Sequence, residues 1–296
     1  MVDMDKRVLV LDASMIRGAK KGFLRNLSSD YRFLLPDTLL HEIPTHALSE
    51  RDTLTSEQSK ELDAKIMAGL RRAMDEAGNN WAHHIEVMDW EMQTGLPGSD
   101  PSAPRCSLSS LDDIGSIFDE TTKQGCLDYD ESAAKMGFVQ HSPADDEWFK
   151  QVRKLKPEDF LVQLRNKFAS PVERSLILSE TINLYSHRAK EIGIKLPSSF
   201  SPGPGYLGFG IQLSSILFLY WKLWKYGDEP ADKKKPANPW LDQYYVGFMA
   251  IADGILSADK GQLERAWLCW PEKESLVFYY NQNDNSITRF QPEWSC

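Results

Sequence analysis

Residues 7–12 read RVLVLD, a short apolar run from Arg7 to Leu11 closed by Asp12. A continuous leucine and valine run without polar alternation suits a strand buried on both faces, as the strands of a parallel sheet are. Beyond Asp12, the spacing of Met15, Ile16, Ala19, Phe23, Leu24 and Leu27 predicts a helix over residues 13–27. Its opposite face carries Arg17, Lys20, Lys21 and Arg25. Tyr31 to Leu35 (YRFLL) repeats the strand pattern. Pro36 and Asp37 then open a helix whose buried face takes Leu39, Leu40 and Ile43. Strand, helix, strand, helix in the first fifty residues is the grammar of a parallel α/β sheet.

Working outward, the pattern predicts a polar helix over residues 55–82 and an irregular Ser/Pro/Gly/Asp-rich segment over 94–130. Helices follow over 157–168, 172–192 and 211–226. After a charged linker with Lys233, Lys234 and Lys235, another helix runs over 240–252. The end returns to strands: Gly254 to Ser257, then a helical turn, then LVFYY at 276–280, with Ile287 to Phe290 able to pair back across the NQNDN turn. One α/β domain is therefore expected, its parallel sheet built from about 1–50 and 205–296 and flanked by helices. A large, mainly helical insertion over 51–204 interrupts it.

The bulk numbers limit the function classes. At 296 residues, 42% hydrophobic and 26% charged, the chain is globular in composition rather than disordered. Its formal charge of −9 means that any nucleic acid would have to be held by a local basic stripe. Four scattered cysteines, Cys106, Cys126, Cys269 and Cys296, make neither a disulfide scaffold nor a zinc ribbon. They read as reduced thiols, and the charged Met1 to Arg7 segment is no signal peptide, so a cytoplasmic location is expected. The uncharged stretch Pro197 to Trp221 is broken by glycine and proline, leaving about sixteen apolar residues against the roughly 20 a membrane span needs. It reads as a buried core helix.

Four acids stand at strand–helix junctions. Asp12 ends the first strand, Glu42 lies six residues after Pro36, Asp242 opens the helix after Pro239, and Asp259 follows the 254–257 strand by two residues. The carboxyl ends of parallel strands share one edge, so residues far apart in sequence can meet there. Converging carboxylates repel unless a divalent cation neutralises them, and an all-oxygen ligand set selects Mg2+ or Mn2+. Each acid taken alone is better explained as a helix cap or a solvated charge.

At this point the residues resemble a known family. VLVLDASMI (Val8 to Ile16) looks like the opening strand, Asp and small-x-hydroxyl block of PIN domains. FLLPDTLLHEI (Phe33 to Ile43) resembles their second block. LDQYYVGFMAIADGILSADK (Leu241 to Lys260) is similar to the third, with seventeen residues between Asp242 and Asp259. The resemblance covers about 45 residues at the start and 60 at the end, and not the middle. It implies a PIN-like sheet and metal-dependent hydrolysis of phosphodiesters, most often in RNA. Asp12, Glu42, Asp242 and Asp259 would be the catalytic ligands of one or two Mg2+ or Mn2+ ions, whose chemistry is activation of water and stabilisation of the leaving 3′ oxygen. Ser14 and Ser257 would buttress the ligands by hydrogen bonds, and Asp253 is a nearby acid of lower rank.

Lys20, Lys21, Arg25 and Lys260 are the candidates for substrate phosphates, a solvated basic face being the alternative. Other motifs carry less. His41-Glu-Ile-Pro-Thr-His46 has one residue too many for H-E-x-x-H, and Gly203 to Gly208 fits G-x-G-x-x-G without a strand before it. His83-His84, Asp112-Asp113 and Asp145-Asp146 lack metal-ligand spacing and read as surface. Tyr220, Trp221, Trp224 and Tyr226 read as core. A catalytically silent RNA- or protein-binding scaffold and a structure-specific DNA nuclease stay open beside the endoribonuclease reading, as do an inhibitory or regulatory protein partner and oligomerisation.

Overall fold

The computed structural model describes residues 6–40, 42, 55–105, 147–226 and 238–295. Six strands form one sheet in the order β3-β2-β1-β4-β5-β6. They are β1 (Arg7–Leu11), β2 (Tyr31–Pro36), β3 (Trp81–Ala82), β4 (Gly254–Ser257), β5 (Val277–Asn281) and β6 (Ser286–Arg289). The first five run parallel and β6 returns antiparallel on β5. The α/β expectation holds, and the final hairpin pairs as the NQNDN turn implied. Leu9, Val10, Leu11, Phe33, Leu34, Leu35, Ile255 and Leu256 are all at most 1% exposed, which is why these strands read as unbroken apolar runs.

The helix expected over 13–27 is two short ones, α1 (Ala13–Gly18) and α2 (Phe23–Leu27). Gly22 between them has φ +83°, a left-handed conformation that breaks a helix and favours glycine. Its N–H donates to the buried Glu76 of α3 (Ser56–Ala77) at 2.7 Å instead of to a helical carbonyl. Helix α3 starts with a capping box of Thr55 and Gln58 and carries the chain from β2 to β3. β3 thus lies inside the span expected to be inserted, so the sheet draws on residues 81–82 as well as on both ends of the chain.

Between β3 and β4 come α4 (His84–Thr94), α5 (Glu147–Val152), α6 (Pro157–Ala169), α7 (Pro171–Glu191), α8 (Leu207–Tyr226) and α9 (Asn238–Phe248); α10 (Lys260–Cys269) joins β4 to β5. These helices share one apolar core with the sheet: Phe149, Phe160, Phe168, Ile177 and Tyr185 belong to the same cluster as Leu9 and Ile255. Helix α8 is the apolar stretch that could be mistaken for a span. Its Phe209, Leu213, Leu217 and Phe218 are buried in the protein, and among the described residues no helix is long and apolar enough to cross a membrane. A Cβ on Gly210 would collide with the Gly247 carbonyl oxygen, and one on Gly208 would strike the Tyr185 ring at 2.6 Å. The approach at Gly208, the last glycine of the literal G-x-G-x-x-G match, therefore serves close packing of α8. Tyr220 and Trp221 are core residues, as read from the sequence. Cys269 is buried, and burial pushes its thiol up to about 12, so it is inert at neutral pH. His41, His46, the two aspartate pairs, Lys233 to Lys235, residues 106–130 of the irregular segment and the other three cysteines lie outside the described residues.

Candidate functional site

In a parallel sheet of this order the chain winds outward from β1 through β2 and β3 on one side, and from β4 through β5 on the other. The switch point lies between β1 and β4, and the crevice outside the carboxyl ends of those two strands is where open α/β sheets form sites. Asp12 follows β1 and Asp259 follows β4, so two of the four expected acids flank that crevice directly.

Asp12 is 4% exposed and caps α1. Its Oδ1 accepts from the Ser14 hydroxyl at 2.7 Å and the Met15 N–H at 3.1 Å, and its Oδ2 accepts from the Ser257 hydroxyl at 2.5 Å. Each serine oxygen in turn receives a backbone proton, Ser14 from Ala258 and Ser257 from Asp259, both at 2.8 Å. Both hydroxyl protons are thus committed to Asp12, and the two serines lock the end of β1 against the end of β4. A carboxylate has about four lone-pair positions. Three are used, which leaves one for a further partner.

The other acids are held by partners of their own. Glu42 is 6% exposed; Tyr245 of α9 donates to it at 2.7 Å and Arg17 stands 3.8 Å away. Asp259 is exposed and caps α10, accepting from Gly261 N at 2.7 Å and Gln262 N at 3.2 Å. Asp242 on α9 pairs with the buried Arg265 of α10 at 2.7 Å, while Gln262 donates to the Asp242 carbonyl at 2.8 Å. Burial pushes the Asp12 carboxyl up to about 6; Ser14 and Ser257 oppose the rise and the Glu42 charge adds to it. Asp242 is pushed up to about 7 by burial first, with Arg265 pulling it down and the charges of Glu42, Asp259 and Asp12 pushing it up. The four expected acids therefore feel one another's fields. No three of them bring oxygens all within 4.8 Å of one another among the described residues.

Other expected residues separate. Asp253 lies at the opposite end of β4, where it accepts from Val8 N at 2.8 Å and pairs with Arg7 at 3.2 Å, so it takes no part in the crevice. Lys260 is exposed beside Asp259, 5.4 Å over the Tyr279 ring. Lys20 is exposed near the β5–β6 turn, reaching the Asn283 carbonyl at 3.3 Å. Lys21 and Arg25 line a groove of about 600 Å³ with Arg71, Arg72, Asp75 and Glu76 of α3.

Two features escape a reading of the sequence. Arg265 has the pattern of an ordinary helical charge and is instead 6% exposed against Asp242. His83 and His84, expected at the surface, meet the buried Asp37: His84 Nδ1 is 2.6 Å and His83 Nε2 3.7 Å from its Oδ2. Asp37 directly follows the strand end at Pro36, which was the available signal; its histidine partners stand 46 and 47 residues away.

Comparison with known proteins adds no identity to this geometry. No family model, no curated protein and no solved structure matches the chain.

Raised carboxyls have a measurable consequence. Asp12, Asp242 and Glu91 (pushed up to about 7, chiefly by burial) bind protons more tightly folded than unfolded. Over pH 4–7 the folded state therefore holds more protons, and stability falls as pH rises. Urea unfolding of the metal-free protein is expected to show this decline, shallower in Asp242→Asn. A flat or rising profile would contradict the burial of these charges.

Proposed function

We propose that the protein is a metal-dependent endonuclease of PIN-like type, cutting phosphodiester bonds in single-stranded RNA ahead of DNA. The observation that supports this reading is that Asp12 and Asp259 follow the two strands flanking the switch-point crevice, close enough to Glu42 and Asp242 for the charges to act on one another and help raise the Asp12 and Asp242 carboxyls. Arg17 and Arg265 offset only part of that negative charge. The donors are all oxygen and Asp12 keeps one acceptor position, which is the donor chemistry Mg2+ or Mn2+ selects; holding an ion would draw the carboxylates closer than they stand here.

Asp12, Glu42, Asp242 and Asp259 would hold the ion or ions. A divalent cation so held supplies Lewis acidity for activating water and offsets charge on the phosphate. Ser14 and Ser257 fix the Asp12 carboxylate by two donated hydrogen bonds, so it need not reorganise during the reaction. Tyr245 orients Glu42 in the same way. Lys260, exposed beside Asp259, and Lys20, exposed near the β5–β6 turn, would meet the backbone phosphates.

A second reading is favoured by one observation. The Arg265–Asp242 pair neutralises a carboxylate without a metal, as a non-cutting scaffold that binds RNA or protein would need. End-labelled single-stranded RNA and DNA, incubated with Mg2+ or Mn2+ and with excess EDTA, separates the two. The nuclease reading expects internal cuts that require the cation, with RNA preferred. Binding without cutting by folded protein on every substrate would leave the scaffold in its place, and cutting in EDTA would overturn the metal chemistry.

A further inference from the structure

We propose that Asp37, His83 and His84 form a second metal site, for one imidazole-preferring divalent ion of the Zn2+ type, separate from the carboxylate crevice. Strands β2 and β3 lie side by side in parallel with Pro36 opposite Ala82, so the residues that follow each strand emerge together. Asp37 N–H donates to the Ala82 carbonyl at 3.0 Å, and His84 N–H donates to Asp37 Oδ2 at 3.1 Å. This backbone clamp holds the three side chains with one ligand atom each, all within 4.8 Å of one another.

An ion pair that ties α4 to the end of β2 would account for Asp37 and His84 alone. It does not account for His83, whose ring lies parallel to that of His84 (7° apart, centroids 5.5 Å) with its Nε2 turned to the same carboxylate. Nor does it account for Asp37 Oδ1, which is buried without a hydrogen-bond partner in a residue only 3% exposed. A buried carboxylate oxygen left unpaired is costly, and a cation bridging the three groups would satisfy it. Exposure falls along the cluster from 40% of the His83 side chain to 13% for His84 and 5% for Asp37. An ion can therefore enter past His83 and keep water in its remaining positions.

Two imidazoles and one carboxylate suit Zn2+, Fe2+, Co2+ or Ni2+ far better than Mg2+. Binding asks only a small adjustment: ligands at about 2.0–2.1 Å from zinc stand roughly 3 Å or more apart, so the Asp37–His84 contact opens slightly. This inference does not depend on the nuclease reading.

The test is Zn2+ binding to the full chain, measured by competition with a chromophoric chelator, together with the visible absorption of the Co2+ form. Wild type, His83→Ala, His84→Ala and Asp12→Asn are compared. His83→Ala is the informative variant, since it keeps the Asp37–His84 contact and is checked for fold by circular dichroism. With Mg2+ in large excess to fill the carboxylate crevice, wild type and Asp12→Asn are expected to bind one Zn2+ alike, and His83→Ala to bind at least about tenfold more weakly, the range seen even when outer partners of a metal site are disturbed. Unchanged affinity in His83→Ala, no zinc binding by wild type, or loss in Asp12→Asn with retention in the histidine variants would each overturn the site.

Discussion

Asp12→Asn is expected to cut RNA at least about 100-fold more slowly than wild type, a loss of roughly 2.7 kcal/mol of transition-state stabilisation, and to be the more stable protein. Both effects have one origin. The substituted side chain can still accept from Ser14 and Met15 through its amide oxygen, and its amide nitrogen can donate to Ser257, so the lock between the ends of β1 and β4 survives. What disappears is a buried negative charge that the fold holds against its preference, with a carboxyl pushed up to about 6. At pH 7 and without metal its removal stabilises the fold by on the order of 3 kcal/mol, a rise of about two pKa units at about 1.4 each. A site kept for function at a cost in stability behaves in this way. Slower cutting with unchanged or lower stability would mean that Asp12 sits comfortably in the fold, and the electrostatic part of the account would fail.

Glu91→Ala is expected to lower stability by at least about 3 kcal/mol, measured as the shift in urea unfolding. Glu91 lies on α4 and is fully buried. Its Oε1 accepts from Gly98 N and from Leu207 N, both at 2.7 Å, and its Oε2 accepts from the Tyr185 hydroxyl of α7. One carboxyl thus ties α4 and the loop after it to α7 and caps the start of α8, where unpaired N–H groups would otherwise be buried. Truncation orphans three donors at once, and each buried orphan costs about 1–3 kcal/mol. Glu91→Gln retains the oxygen that serves Gly98 and Leu207, and should cost about 1 kcal/mol. Equal losses in the two variants would show that the bond from the Tyr185 hydroxyl, whose acceptor both variants lose, carries the effect and that the two backbone bonds to Oε1 do not.

The parts of the fold that could be read in the sequence are those where local signal and tertiary role coincide. β1 and β4 are buried on both faces, so RVLVL and GILS stand out, and the acids that follow them fall where a parallel sheet puts its ends. β3 has two residues and pairs only with Leu35 and Pro36, too short for any periodicity to reveal. The break between α1 and α2 depends on Gly22 meeting Glu76, 54 residues away, and an apolar spacing that continues across the break hides it. Within the site, Asp12 and its serines were legible because they are local to strand ends. Arg265 and the histidine pair were not: each is an ordinary polar residue until the fold supplies a buried carboxylate beside it.

The most direct test of the carboxylate crevice is equilibrium Mn2+ binding, followed by the loss of the free-ion electron paramagnetic signal. It is done in the His83→Ala background so that the histidine cluster contributes little. The account expects the otherwise intact protein to bind Mn2+, with Mg2+ competing, and the added Asp12→Asn and Asp242→Asn substitutions each to weaken binding at least about tenfold. Equal Mn2+ affinity with and without these two carboxylates would contradict it, because the acids at the end of β1 and on α9 would then hold no metal.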